Sequence, residues 1–194
     1  MILLAAFVLG YLLGSIPFGL ILTRLAGGGD IRAVGSGNIG ATNVLRTGKK
    51  GVALATLLLD AGKGVLAVWL AGRFGGEPAA LIAGLGAYAG HVWPVWLGFR
   101  GGKGVATFLG VATAVLPWGG GLAFALAWLL IARITRISSV GGMLGGFAAT
   151  GTAVMVGATG PALLFLGLSL LTLYTHRENI ARLMAGTEPR IGGK

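Results

Sequence analysis

The sequence predicts an all-α protein that crosses a membrane several times. Charged residues make up only 10% of the chain and hydrophobic residues 55%, whereas soluble domains carry about 25% charged residues. Glycine accounts for 38 of 194 residues without a Gly-X-Y repeat, which is typical of closely packed membrane helices. The length predicts a single domain over residues 1–194. Because cysteine is absent, disulfides, thiolate nucleophiles and zinc–thiolate sites are excluded.

Uncharged stretches place the first three spans. About 20 apolar residues cross a bilayer, and residues 1–23 contain no charge. Residues 51–72 form the second stretch and are interrupted only by Asp60 and Lys63. Residues 78–99 form the third, so we expect an outer loop near Gly72 to Glu77.

Two longer uncharged stretches each predict a pair of short spans. Residues 104–132 are interrupted by Pro117 and by a glycine triplet at 119–121, and both features disfavour an interior helix. Residues 137–176 are uncharged and break at 157–161. The total is seven spans, or six if the first of these stretches crosses only once.

The basic residues favour seven spans. With seven, 13 of the 15 Lys and Arg residues lie on one side, in the segments 24–50, 100–103, 133–136 and 177–194. The positive-inside rule then places the N-terminus outside and the C-terminus in the cytoplasm. Anionic lipid headgroups explain the net charge of +10. Nucleic acid is not expected as a partner, because these segments are short connections between membrane spans.

The first cytoplasmic segment contains a literal G-x-G-x-x-G at Gly35, Gly37 and Gly40. That pattern indicates dinucleotide binding only inside a strand–turn–helix unit. The chain has no room for such a unit, and the acidic residue about 20 positions on, Asp60, lies inside a predicted span. We therefore reject a Rossmann interpretation.

The same segment is rich in hydrogen-bond donors. We expect these residues to form a phosphate-binding pocket: Ser36, Gly37, Asn38, Thr42, Asn43 and Arg46. The alternative is a solvated interfacial loop in which Thr42 or Asn43 caps a helix.

The second cytoplasmic segment resembles a P-loop without matching it. The position six before Lys103 is Leu97, and Gly104 follows the lysine where a P-loop has Ser or Thr. Glycines still allow backbone N–H groups to close on an anion at a helix N-terminus. We expect Arg100, Gly101, Gly102, Lys103 and Gly104 to bind phosphate. The alternative is a basic loop that reaches the headgroups.

The last cytoplasmic segment follows the seventh span. If the final helix continues past the membrane, His176, Asn179 and Leu183 share one face. His176 would accept a proton or donate to phosphate, and Arg182 would join it. The alternative is a helix end at the interface with a Glu178–Arg182 ion pair.

Two polar features inside the spans are predicted to be structural. An unpaired Asp60 or Lys63 would each cost roughly 2.5–3.5 kcal/mol in a membrane helix, and their spacing of three allows them to pair. A proton or ion pathway is the alternative. His91, with Trp93 and Trp96, is predicted to anchor the chain at the membrane interface.

Taken together, the motifs are similar to three signatures of one enzyme family. Residues 36–46, the pair of segments 91–94 and 101–107, and residues 175–182 resemble those of the bacterial acyl-phosphate-dependent glycerol-3-phosphate acyltransferases, the PlsY type. The resemblance covers essentially the whole chain in the same order. It agrees with the lack of a carboxylate pair for a hydrated metal ion, which disfavours metal-dependent phosphoryl transfer.

The resemblance implies a reaction and a location. A fatty acyl group would pass from acyl phosphate to the 1-hydroxyl of sn-glycerol 3-phosphate, giving lysophosphatidic acid and phosphate. The enzyme would lie in the bacterial inner membrane as a monomer, with its site facing the cytoplasm, and would need no cofactor or metal. Acyl-CoA use is not expected, because a His-x4-Asp motif and cysteine are missing. An organic-anion transporter is the non-enzymatic alternative.

The resemblance also assigns roles to residues. The implied catalytic residues are Ser36, Arg46, Lys103, His176 and Asn179. The glycines around Lys103 would bind the phosphate of glycerol 3-phosphate, and Glu178 would be structural. Two alternatives stay open: His176 is either the general base or a phosphate ligand, and Ser36 is either a nucleophile or a hydrogen-bond donor.

Overall fold

A computed structural model describes residues 1–192, which are α-helical with short 3₁₀ turns at Ile31–Ala33 and Val95–Leu97 and no β-strand among them. The helices are α1 (Ile2–Gly14), α2 (Phe18–Leu25), α3 (Ala41–Leu45), α4 (Lys50–Val92), α5 (Val105–Val115), α6 (Gly120–Thr135), α7 (Ser138–Met155), α8 (Thr159–Thr175) and α9 (Arg177–Met184). The packing divides the chain into two compact units, Met1–Val111 and Ala112–Lys194.

The first predicted span is two helices rather than one. Pro17 has no N–H and disfavours helical geometry at the residue before it, so α1 ends at Gly14 and α2 begins at Phe18. The break exposes backbone carbonyls. Nε1 of Trp96 donates to Ser15 O at 3.0 Å, and Nζ of Lys63 donates to Ile16 O at 2.9 Å.

A single kinked helix, α4, contains the second and third predicted spans. Gly76 breaks it with φ 66° and ψ −165°, a conformation that only glycine adopts readily. The expected loop at 72–77 is therefore a kink, and the rest of that segment stays helical. Because the two halves meet at this kink, Lys50 and Val92 return to the same end of the first unit.

Helix α1 packs against the second half of α4 through glycine. A Cβ on Gly10 or Gly14 would overlap the backbone of Ala83 or Ala87 respectively. Both positions advance by four residues together, so the two helix segments run parallel. Small residues allow such close backbone contact in membrane helices. The C-terminal ends of α1 and α4 consequently lie at one end of this unit.

The second unit confirms both predicted interruptions. Helices α5 and α6 are separated by a turn at 116–119, and α7 and α8 by a turn at 156–158. A Cβ on Gly141 or Gly145 of α7 would press on Trp128 or Phe124 of α6. Small residues of α7 thus allow close contact with α6.

The outer surfaces of the helices are apolar. Two described segments, Ile2–Leu25 and Lys50–Leu97, are long and apolar enough to cross a bilayer, and α5, α6 and α8 are shorter apolar helices. Large side chains point outward on them, including Trp69 and Leu130, which are 58% and 61% exposed. Such surfaces are stable against lipid rather than water.

Candidate active site

Asn43 organises the loop of the first motif. Its Nδ2 lies 3.1 Å from Ile31 O, 2.9 Å from Val34 O and 2.8 Å from Asn38 O. Its Oδ1 accepts the backbone N–H of Ser36 at 3.0 Å. This buried amide therefore holds the loop in shape, and the expectation that Asn43 also binds phosphate stays a prediction.

The remaining polar side chains of this motif face outward. Ser36, Thr42 and Arg46 are exposed, and the Arg46 guanidinium makes no hydrogen bond or ion pair within residues 1–192. The Arg46 side chain lies over Gly35, whose φ is +57° and whose added Cβ would be 3.4 Å from Nη1. Asn38 is engaged locally, because its Oδ1 accepts a backbone N–H at 2.9 Å. The loop therefore presents exposed hydroxyl groups and an exposed guanidinium.

An apolar cluster joins this loop to the second motif. Buried residues of α2, of the loop, of α3 and of α4 form it: Leu20, Ile31, Ile39, Val44 and Ala53. Leu97, four residues before the second motif, packs against the same cluster. The first two motifs consequently lie at the same end of the unit Met1–Val111.

The glycine loop of the second motif is fastened to the end of α4. The N–H of Gly101 donates to Val92 O at 3.0 Å, and the N–H of Gly102 donates to His91 O at 3.0 Å. These two N–H groups are therefore satisfied internally. The expectation that this loop binds phosphate stays a prediction, and the positive charge for it would come from Lys103, Arg100 and the start of α5.

Close packing explains the glycines here. A Cβ on Gly102 would overlap Nε2 of His91, and one on Gly104, where φ is +86°, would overlap the Tyr88 ring. The Tyr88 hydroxyl donates to the carbonyl of Lys103 at 3.3 Å. Helix α5 begins directly after Gly104, so the half-buried Lys103 lies beside the positive end of a helix dipole.

A buried ion cluster lies under this loop. Nζ of Lys63 is 2.7 Å from Oδ1 of Asp60, which confirms the predicted pair. Nδ1 of His91 is 3.6 Å from the same oxygen, and all three side chains are at most 3% exposed. The predicted role of His91 as an interfacial anchor is wrong, because its ring is enclosed by protein. Sequence analysis had no signal for this, since His91 lies 31 residues from Asp60 by number.

The third motif lies in the unit Ala112–Lys194, at a break between α8 and α9. His176 ends α8 with φ −98° and ψ 10°, so the final helix does not continue straight as the face argument assumed. Nδ1 of His176 lies 2.8 Å from the Thr172 carbonyl, which can only accept a hydrogen bond. Nδ1 thus carries the hydrogen, and the lone pair of the neutral ring is on Nε2. His176 and Asn179 are buried.

Glu188 holds this motif together, although sequence analysis overlooked it. Its Oε1 accepts Oγ of Ser139 and Nδ2 of Asn179, both at 2.6 Å, and its Oε2 accepts Nε of Arg182 at 2.7 Å. Burial raises the pKa of Glu188, but the hydrogen bonds from Ser139, Asn179 and Arg182 outweigh it and hold that pKa below its usual value. The alternative Glu178–Arg182 pair is not formed, because Arg182 binds Glu188 instead.

Glu188, rather than the exposed Glu178, is therefore the acid bonded within the motif, and the structural role expected of Glu178 stays a prediction. Glu188 is one of only five acidic residues, and it follows a basic segment. That scarcity was the available sequence signal. Among residues 1–192 no group of three or more His, Cys, Asp or Glu side chains is arranged to hold a metal ion.

Known proteins resemble this chain over nearly its whole length. The sequence profile of the family described as glycerol-3-phosphate acyltransferase matches residues 4–186. A glycerol-3-phosphate acyltransferase of Rhodopseudomonas palustris strain BisB5 is 56% identical over 191 residues, covering 98% of this chain and 97% of the relative. One of Brucella ovis is 54% identical over 192 residues, covering 99% and 94%.

Two solved structures have the same fold as this chain. The crystal structure of PlsY, an integral membrane glycerol 3-phosphate acyltransferase in its glycerol 3-phosphate form, superposes with a TM-score of 0.91 at 38% identity, covering 98% of this chain and 96% of that one. Its lysophosphatidic acid form gives a TM-score of 0.90 at 37% identity. The chain belongs to the glycerol-3-phosphate acyltransferase family, of the PlsY type, and is an integral-membrane acyltransferase.

Proposed function

We propose that this enzyme transfers a fatty acyl group from acyl phosphate to the 1-hydroxyl of sn-glycerol 3-phosphate, giving lysophosphatidic acid and inorganic phosphate. The observation that carries the proposal is the likeness, along the whole chain, to PlsY in its glycerol 3-phosphate and lysophosphatidic acid forms. The exposed Ser36 and Arg46 and the half-buried Lys103 support it, because both substrates carry phosphate.

The chemistry suits these residues. The 1-hydroxyl oxygen forms a bond to the acyl carbonyl carbon, the bond from that carbon to the phosphate oxygen breaks, and phosphate leaves with the electron pair. The hydroxyl proton passes to a base. Because the donor is a mixed anhydride, its leaving group is already stable, and the main demand on the protein is to bind and neutralise phosphate.

We assign the phosphate contacts to the basic and hydroxyl groups at one end of the first unit. Arg46 and Lys103 neutralise negative charge as it shifts to the leaving phosphate. Ser36, as nucleophile or hydrogen-bond donor, acts beside them. The other proposed binding residues of these two motifs are Gly37, Asn38, Thr42, Arg100, Gly101, Gly102 and Gly104. Asn43 acts by holding the loop.

The third motif supplies the proposed proton acceptor. With Nδ1–H donated to Thr172 O, the Nε2 of His176 is suited to accept a proton. The alternative is that His176 binds phosphate and the substrate's own phosphate accepts the proton. Asn179 and Arg182 already have an internal partner in Glu188, so we assign Asn179 to positioning a substrate and Arg182 to bracing that site.

The proposed topology has seven spans with the N-terminus outside and the site at the cytoplasmic face of the bacterial inner membrane. The helices support this count: α1 with α2, the two halves of α4, and α5, α6, α7 and α8. We further propose that the enzyme acts as a monomer, without metal or cofactor.

The decisive experiment uses purified protein in lipid with labelled glycerol 3-phosphate and no added metal. Palmitoyl phosphate and palmitoyl-CoA are supplied in separate reactions. We expect labelled lysophosphatidic acid only with palmitoyl phosphate. Product from palmitoyl-CoA would overturn the proposed donor. The absence of product from both, in a sample that still binds glycerol 3-phosphate, would favour transport.

A further inference from the structure

The buried cluster of Asp60, Lys63 and His91 lies where the glycine loop meets the helices. Asp60 and Lys63 are on the first half of α4, and His91 is one residue from the end of its second half. The cluster is nearly inaccessible to solvent. Polar groups this deep are expensive to maintain in a membrane protein, and none of the three residues belongs to the donors assigned to substrate.

His91 touches the loop with its backbone and its ring. Its carbonyl accepts the N–H of Gly102 at 3.0 Å. The Nε2 edge of its ring packs directly against Gly102, so that a Cβ at this position would overlap the ring. The position of Gly102, and with it that of Lys103, therefore depends on the orientation of this ring.

The groups that face the ring nitrogens determine that orientation. Nδ1 points to Oδ1 of Asp60 at 3.6 Å. Lys63 neutralises this carboxylate at 2.7 Å and reaches the α1–α2 break through its bond to Ile16 O. At 3.6 Å the ring nitrogen and the carboxylate do not form a hydrogen bond. The attraction between them is electrostatic, and it favours the ring orientation that turns an N–H on Nδ1 toward the carboxylate.

We propose that His91 is a positioning residue for the phosphate loop 101–104, oriented by Asp60, and that it sets the affinity of the enzyme for the phosphate of glycerol 3-phosphate. The inference rests on the proposed function, in which this loop binds that phosphate. His91 acts through Gly102 and Lys103 rather than on the reacting atoms. A shift of about 1 Å in a binding group is enough to lower the rate substantially, and Gly102 leaves no space between the ring and the loop.

The first test substitutes the ring conservatively. His91→Gln is compared with wild type and with Glu77→Gln, an exposed change beside the Gly76 kink in the middle of α4. We expect KM for glycerol 3-phosphate to rise about tenfold in His91→Gln, with kcat and the KM for palmitoyl phosphate within about twofold of wild type. Equal increases in both KM values, or no change in either, would overturn the positioning role.

The second test separates positioning from simple charge balance. Asp60→Asn combined with Lys63→Gln removes both buried charges together. We expect this double variant to keep a thermal midpoint in detergent close to wild type while its KM for glycerol 3-phosphate stays about tenfold raised, because the ring has lost its carboxylate. If the double variant had both the thermal midpoint and the KM for glycerol 3-phosphate of wild type, the cluster would serve folding alone, and the proposal would be overturned.

A third test uses the missing space at Gly102. Gly102→Ala in wild type places a methyl group on the His91 ring, whereas in a His91→Ala background the space is open. We expect Gly102→Ala to weaken binding of glycerol 3-phosphate more than tenfold in wild type and less than threefold in the His91→Ala background. Equal effects in both backgrounds would overturn the proposed contact.

Direct binding distinguishes this inference from the proposed function. Equilibrium binding of labelled glycerol 3-phosphate is measured for each variant alongside turnover. If wild type made no lysophosphatidic acid, the proposed reaction would fail, yet weaker binding in His91→Gln than in Glu77→Gln would still uphold the loop-positioning role. Unchanged binding in His91→Gln would overturn that role whatever the turnover.

Discussion

The second and third motifs are held in place by different devices. In Met1–Val111, the glycine loop rests on a buried cluster whose Asp60 and Lys63 lie one helical turn apart on α4. In Ala112–Lys194, the third motif is gathered by a single carboxylate, Glu188, from the tail that follows α9. The buried cluster is enclosed among helices. The bonds of Glu188 to Ser139, Asn179 and Arg182, which we call the Glu188 clasp, come from the segment after α9. Loss of charge balance should therefore damage the first more, while acid should affect the second.

The largest expected effect is on the buried pair. Lys63→Met leaves the Asp60 carboxylate uncompensated and removes the bond to Ile16 O, which should destabilise the fold by about 3–5 kcal/mol. Thermal unfolding in detergent measures this, with the exposed Arg73→Gln as control. If Lys63→Met and the control had equal thermal midpoints, the Asp60–Lys63 pair would contribute nothing to stability. The two motifs would then not differ in the way proposed above.

Removing the clasp should have the next largest effect. Glu188→Ala deprives Asn179, Arg182 and Ser139 of their shared acceptor, and the loss of such hydrogen bonds costs about 1.5–3 kcal/mol. We expect activity to fall at least tenfold, since the proposed base His176 and Asn179 share this motif. Glu178→Ala, an exposed neighbour, is the matched control. Equal activity in the two variants would contradict the clasp.

The loop of the first motif provides an intermediate case. Asn43→Ala removes four contacts between one side chain and the backbone of the loop, leaving buried groups unsatisfied at a cost of about 1–3 kcal/mol. We expect the KM values for both substrates to rise, because the loop carries Ser36 and Arg46. The thermal midpoint should fall as well. Protease accessibility of the loop should increase in parallel. An unchanged cleavage rate would show that Asn43 is not its organiser.

The smallest effect concerns pH. The pKa of Glu188 is lowered in the folded protein, so its contribution to stability is fully present above the ordinary carboxyl pKa and is lost as pH falls through the lowered folded value. Stability should therefore decline in acid more steeply for wild type than for Glu188→Gln, which cannot titrate. Parallel unfolding curves from pH 6 to pH 3 would contradict the assignment.

Local patterns predicted much of this molecule. The interruptions at Pro117 and near Gly157 were visible because proline and glycine end helices, and the Asp60–Lys63 pair followed from their spacing of three. The break at Pro17 was missed because residues 1–23 have the length of a single span, so nothing in their length called for an interruption. The kink at Gly76 was expected as a longer loop, since sequence does not reveal how few residues a positive φ requires.

The proposed site residues also divide into those that the sequence indicated and those whose contacts only the structure showed. Ser36, Arg46 and Lys103 were identified from donor chemistry and the family resemblance, and the structure leaves the first two exposed. Asn43, Gly101 and Gly102 were expected to bind phosphate. The structure shows their polar groups bonded within the loops, because three-dimensional proximity decides which partner a donor meets, and their contact with phosphate remains a proposal.

Hydropathy and local motifs were enough to predict a helical membrane protein of the glycerol-3-phosphate acyltransferase family, because both can be recognised within short stretches of chain. The contacts of His91 with Asp60 and Gly102, and the bonding of the third motif to Glu188 rather than Glu178, emerged only from the folded chain. Those contacts depend on which distant backbones the glycines allow into contact, and on which buried polar groups must satisfy one another.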